Sequence, residues 1–229
     1  MNTRPIIDFS LAPYENVIFD FAGVLFECDY LKMVRRVFPA AHNHAELADK
    51  IFKSDVFVEY DKDLIDQEEL LLKLSSLALC QLKDIENLIE VIKEYLVPME
   101  ESILLLYALK EMNIKLYGLT NMPKEIYDHL IKKYEFLKLF EHITSSSYVK
   151  LAKPDPAIYQ KLISLTGIDV TKTIFTDDRV VNLHPAEKLG VKSILFKDAN
   201  QFLQELRGMM NINFIPQNDS EKRVLGNRN

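Results

Sequence analysis

Three carboxylates, an ammonium, a hydroxyl and a carboxamide stand where short apolar runs of this chain end. Residues 16–21 (NVIFDF) carry Asp20, and residues 114–120 (IKLYGLT) deliver Thr120 and then Asn121. Lys153 follows residues 143–145 after a loop, and residues 173–176 (TIFT) deliver Asp177 and Asp178. In an open parallel sheet, ligands sit beyond the carboxyl ends of the strands. Runs that form one such sheet therefore gather all of these groups at one edge. Carboxylates brought together repel, and at least one must bind a proton unless a cation joins them. An oxygen-only set with no His or Cys suits a hard ion, and magnesium takes one or two carboxylates plus water and phosphate oxygens. The stretch Thr120-Asn121-Met122-Pro123 adds an anion seat, because proline suits a first helical turn and the amides before it are free. Asp155-Pro156 repeats that arrangement just after Lys153. Lysine, hydroxyl, amides and metal describe a pocket for a phosphoryl group.

The elements that must position these residues are legible as alternating patterns. Helical spacing spans residues 101–112, 123–134, 156–166, 185–189 and 201–207, between apolar runs at 16–21, 114–120, 143–145, 173–176 and 193–196. Strand and helix in alternation imply right-handed crossovers and a Rossmann-like parallel sheet covered on both faces, an α/β fold. Residues 30–95 break the rhythm and read as helix throughout, with Leu70, Leu74 and Leu77, then Ile85, Leu88 and Ile92, at helical spacing. This block is expected to be an α-helical cap inserted after the first strand, with Pro98 marking the return. The expected division is a core of residues 1–28 and 97–207, a cap of 29–96, and a frayed polar tail of 208–229.

Bulk properties exclude several partners. The chain has 229 residues, 48% of them hydrophobic, and a net charge of -6 without a basic stripe, which argues against nucleic acid. Cys28 and Cys80 are the only cysteines, too few for a disulfide framework and in keeping with a reducing compartment. No run approaches the ~20 apolar residues of a membrane span, and the first residues do not read as a signal peptide. A cytoplasmic protein is the expectation, with its oligomeric state open. The six glycines form neither a GxGxxG nor a Walker loop. Cys28 has no evident His partner and reads as structural; His42 and His44 do not share a helical face; His184 reads as a surface residue near a helix start. Asn182 is as readily a helix cap as a brace for the Asp178 loop, and Gly118 within a strand suggests close backbone approach.

FDFAGVLFE, LTN, KPDPAIY and FTDDRVVNLHPAEKLG, in that order, resemble the four motifs of haloacid-dehalogenase-like hydrolases. The resemblance covers residues 16–196 outside the cap, and the 61–70 segment (DKDLIDQEEL) is similar to the cap entry in that superfamily. It implies that Asp20 attacks phosphorus to form an aspartyl-phosphate, later hydrolysed by water. Magnesium would be held by Asp20, the Ala22 carbonyl, Asp177 and Asp178. Thr120 and Asn121 would hold phosphoryl oxygens, and Lys153 would neutralise nucleophile and transferring group. The substrate implied is a small phosphorylated metabolite, and the chain is similar to sugar-phosphate phosphatases of the superfamily. One position departs: Ala22 stands where its phosphatases usually place an acid–base Asp, a group typically worth ~10²–10⁴ in rate. Phosphonoacetaldehyde hydrolases carry Ala there and use a cap lysine, a part open to Lys50 or Lys53. Hydrolysis of a P–C bond, phosphotransfer, and a catalytically degenerate binding protein are thus the alternatives.

Overall fold

A computed structural model of the chain describes residues 13–210. Five strands, β1 (Asn16–Phe19), β2 (Lys115–Thr120), β3 (His142–Ser145), β4 (Thr173–Asp177) and β5 (Lys192–Leu195), form one parallel sheet in the order β3-β2-β1-β4-β5. Consecutive residues of β1 serve opposite faces, which is why the run is apolar without alternation. Val17 and Phe19 join one buried cluster, and Ile18 joins the other with Leu119, Phe175 and Leu162. At Gly118 an added Cβ would lie 2.9 Å from the Ile143 side chain, so neighbouring strands leave no room for one.

Between β1 and the helix that leads into β2 lie five helices: α1 (Tyr30–Val37), α2 (His44–Phe52), α3 (Asp55–Asp61), α4 (Gln67–Ala78) and α5 (Leu82–Tyr95). Each start is written locally. Asp29, Asn43, Ser54 and Asp66 accept amides of the first turns of α1 to α4, and Asp84 of α5 accepts the Gln81 N–H. Their apolar faces do not form a separate interior. Met33, Ile51, Leu70 and Leu88 pack in the same buried cluster as Phe19 and Phe26.

The remaining helices are α6 (Glu100–Glu111), α7 (Lys124–Lys133), α8 (Ser146–Val149), α9 (Pro156–Thr166), α10 (Val180–Lys188) and α11 (Ala199–Met209). Three expectations change. The short α8 carries no periodic signal of its own and is set by its position after β3. Helix α10 starts five residues before Pro185, because a proline there removes one helical bond while Leu183 and Ala186 are buried. His184 is accordingly an exposed mid-helix residue. Residues 208–210 belong to or cap α11, with Met210 buried, and the rest of the expected tail, 211–229, lies outside the described residues, as do residues 1–12.

Candidate active site

The strand order reverses direction between β1 and β4, which is where an open α/β sheet leaves its crevice. Asp20 and Asp177 occupy that place side by side. The Asp20 N–H donates to the Thr176 carbonyl at 3.0 Å, extending the ladder one step beyond β1. Lys153 reaches between them, its Nζ 2.8 Å from Asp20 Oδ1 and 2.7 Å from Asp177 Oδ2. All three side chains are buried. Asp20 Oδ1 also accepts the Phe21 N–H at 2.6 Å, whereas Oδ2 has no hydrogen-bond partner among the described residues. One oxygen of Asp20 is held and the other is free.

Asp177 is braced on every side. Asn182 Nδ2 donates to both of its oxygens, at 2.9 and 3.0 Å, and the Arg179 N–H donates to Oδ1 at 2.9 Å. The Tyr159 hydroxyl in turn donates to the Asn182 carbonyl at 2.7 Å. Asn182 therefore braces Asp177 rather than the Asp178 loop. The sequence obscured this because a helix start at Pro185 would have left Asn182 in a loop. Asp178 is exposed, and its carboxylate lies against Gly23, where an added Cβ would be 2.6 Å from Asp178 Oδ2. Gly23 has φ +83°, a conformation that a side chain would disfavour in any case. Asp20, Asp177 and Asp178 each offer an oxygen, and these lie within 4.8 Å of one another.

The electrostatics follow from that crowding. Burial pushes the Asp20 carboxyl up to about 8 against the pull of Lys153, with Asp177 adding repulsion. Although Asp178 is exposed as a residue, its carboxyl is raised by the partial desolvation of its place in the cluster and by the charge of Asp177. Burial opposes the charge on Lys153, yet the carboxylates of Asp20 and Asp177 outweigh it and hold the ammonium above its ordinary range. With all three acids ionised, one ammonium would leave a surplus of negative charge, and a divalent cation fits that donor set.

At the end of β2, Thr120 is fully buried and its hydroxyl has no partner among the described residues. Asn121 also bonds to Lys153. Its Nδ2 donates to the Lys153 carbonyl and its Oδ1 accepts the Lys153 N–H, both at 2.8 Å. Its carboxamide thus positions Lys153 and keeps a second Nδ2 hydrogen to donate. The Asp155-Pro156 helix start does not provide a second anion seat, because the Asp155 carboxylate caps it by accepting the Ala157 N–H at 2.9 Å.

Beside Ala22 and Asn121 opens a cleft with about 330 Å³ of empty space, open solvent included. Phe57, Ile92, Leu96, Met122 and Ile126 contribute apolar walls, and Cys28, Tyr30 and Asp61 add polar groups. Burial pushes the Cys28 thiol up to about 12, which fits a structural cysteine rather than a nucleophile. Asp61 was not singled out by the sequence, because a lone acid near the end of a short helix carries no motif. Burial alone pushes its carboxyl up to about 7.

Relatives agree with this geometry. The family described as haloacid dehalogenase-like hydrolase matches residues 14–190. The sesquiterpene phosphatase astK of Aspergillus oryzae is 24% identical over 199 residues, covering 86% of this chain and 97% of that protein. Flavin mononucleotide hydrolase 1 of Arabidopsis thaliana is 29% identical over 157 residues, 66% of this chain and 60% of that one. The drimenol cyclase drtB of Aspergillus calidoustus is 25% identical over 160 residues, and the match spans only 30% of its length. Among solved structures, a HAD family enzyme of Bacteroides thetaiotaomicron in complex with magnesium and inorganic phosphate superposes with TM-score 0.68 at 23% identity, covering 82% of this chain and 98% of that one. With the family's match spanning β1 to the end of α10, this chain is a member of the haloacid dehalogenase-like hydrolases.

Proposed function

We propose that the chain is a magnesium-dependent phosphatase of a small phosphorylated metabolite, with Asp20 as nucleophile. The observation that carries this reading is the buried Asp20–Lys153–Asp177 contact, which leaves Asp20 Oδ2 free at the sheet's crevice. Asp20, Asp177 and Asp178, with the Ala22 carbonyl, would hold the cation. When bound, it supplies charge neutralisation to the phosphoryl oxygens. Asp20 attacks phosphorus, the ester oxygen leaves, and water then cleaves the aspartyl-phosphate. Lys153 offsets the charge of the nucleophile and of the transferring group, Thr120 offers its unpaired hydroxyl to a phosphoryl oxygen, and Asn121 keeps Lys153 in place. The division into core (1–28, 97–207) and cap (29–96) belongs to the same proposal, the cap closing over the crevice and excluding water. The phosphatase and mononucleotide hydrolase among the relatives support chemistry at a phosphate.

The P–C alternative needs a cap amine in the cleft. Neither Lys50 nor Lys53 lines it, and Lys53 is exposed in an ion pair with Asp49 at 2.7 Å. Turnover of p-nitrophenyl phosphate with and without magnesium tests the proposal, since that leaving group needs no acid. Asp20→Asn is expected to remove at least ~10³-fold of the rate. A rate indifferent to Asp20→Asn and to magnesium would leave a binding protein instead.

A further inference from the structure

The proposed reaction fixes where the phosphoryl group sits and leaves open what it is attached to. The cleft beside Ala22 and Asn121 is the space adjoining that seat, formed where α1, α3 and α5 face the end of β2 and the start of α7. Three features of its lining restrict the occupant. Most of the wall is hydrocarbon, so a polyol would leave hydroxyls facing side chains that cannot pair them. No Lys, Arg or His lines it, so a second anionic group would find no cation. The carboxyl of Asp61 lines the same space with no cation beside it among the described residues, and a further anion there would either meet its charge or force it to take up a proton.

We propose that this cleft seats the alcohol half of a phosphate monoester whose alcohol is uncharged and largely apolar (an alkyl, alkenyl or aryl alcohol), and that Asp61 discriminates against alcohols bearing a second anion. This rests on the phosphatase reading and departs from the sugar-phosphate class that the sequence motifs resemble. Asp61 acts here as a specificity residue, reading the charge of the alcohol.

The test compares primary esters, so that leaving-group acidity stays similar: n-alkyl monophosphates from ethyl to octyl, glucose 6-phosphate and 3-phosphoglycerate, with magnesium present. Burial of each added methylene is expected to raise kcat/KM about threefold to fourfold until the cleft is filled. Hexyl phosphate is then expected to exceed glucose 6-phosphate by about 100-fold on the same basis. Asp61→Asn, close to isosteric, is expected to narrow the ratio of hexyl phosphate to 3-phosphoglycerate turnover by about tenfold, the effect of removing a facing charge. Calorimetric affinities of n-alkylphosphonates for the unmodified chain give a second readout independent of turnover, and decide the matter if Asp61→Asn fails to fold. Affinity and turnover that rise with chain length support the proposal. A flat series, or preference for the sugar or acid ester, overturns it while the phosphatase reading stands. No ester hydrolysed above the Asp20→Asn background overturns both.

Discussion

At the scale of single residues, Lys153 is the one ammonium paired with Asp20 and Asp177 beside Asp178, and the balance of charge among them bears on stability and on the proposed cation site. Removing Lys153 leaves Asp20 and Asp177 facing each other in a buried site. Lys153→Met is expected to destabilise the fold by about 3–5 kcal/mol at pH 8, measured by urea unfolding. The sign with pH follows from linkage. The Asp20 carboxyl titrates at about 8 in the folded chain, above its ordinary value near 4. Its contribution is therefore fully present below about pH 4 and is lost as pH rises to about 8. Magnesium should restore that stability, and its binding should release protons most strongly where Asp20 is still protonated, a release that calorimetry in buffers of different ionisation enthalpy would register. Stability unaffected by magnesium at pH 8 would contradict the balance described. Ala22 bears on a different step. Ala22→Asp places an acid two residues after Asp20, the proposed nucleophile, and it is expected to raise kcat on alkyl phosphates by at least ~10-fold while changing p-nitrophenyl phosphate turnover little.

At the scale of elements, the turn after β1 does the fine placement. The Phe21 carbonyl accepts the N–H groups of Leu25 and Phe26 at 2.8 and 2.9 Å, and the Gly23 N–H donates to the Phe26 carbonyl at 2.8 Å, so the turn closes tightly on itself. Gly23 presents its bare Cα to Asp178. Gly23→Ala would strain the backbone by about 1–3 kcal/mol and push the Asp178 carboxylate out of the cluster. The expected result is a loss of magnesium affinity of about 10-fold or more, with a smaller proportional loss of thermal stability, measured by calorimetry and by Tm. An unchanged magnesium affinity in a folded variant would mean that Asp178 has no part in the cation site.

At the scale of the whole molecule, the helices between β1 and α6 are tied to the sheet by packing and by polar contacts. One apolar cluster runs from Phe19 in the sheet through Phe26 to Leu70 and Leu88. The Ser146 hydroxyl accepts the Met122 N–H at 2.9 Å and donates to the Asp61 carbonyl, joining the segment after β2 to α8 and α3. Lys150 pairs with Asp63, and Lys93 of α5 with Glu125 of α7. A shared interior implies shared cooperativity. The chain is expected to unfold in one transition, with far-ultraviolet circular dichroism and tyrosine fluorescence coincident in urea. Ser146→Ala, which strands a buried N–H and a carbonyl, is expected to lower stability by about 1–3 kcal/mol without splitting that transition. Two separated transitions would mean that the helical insert folds by itself. Among the described residues no helix is long and apolar enough to cross a membrane.

The sequence by itself determined the sheet, the inserted run of helices, and the identity of Asp20, Thr120, Lys153, Asp177 and Asp178 as groups delivered to one edge. Those features rest on local signals: buried strands are continuous apolar runs, helix caps sit beside the turns they close, and a strand's last residue is fixed by the strand. Tertiary structure alone decided what those groups touch. Asn121 turned out to hold the backbone of Lys153, and Asn182 to hold Asp177, because each contact joins residues whose mutual direction depends on how strands and helices stack. Asp61 could be seen only there as well. A carboxyl becomes unusual through its surroundings, and Ile92, Met122 and Ile126, which line the same cleft as Asp61, come from far along the chain.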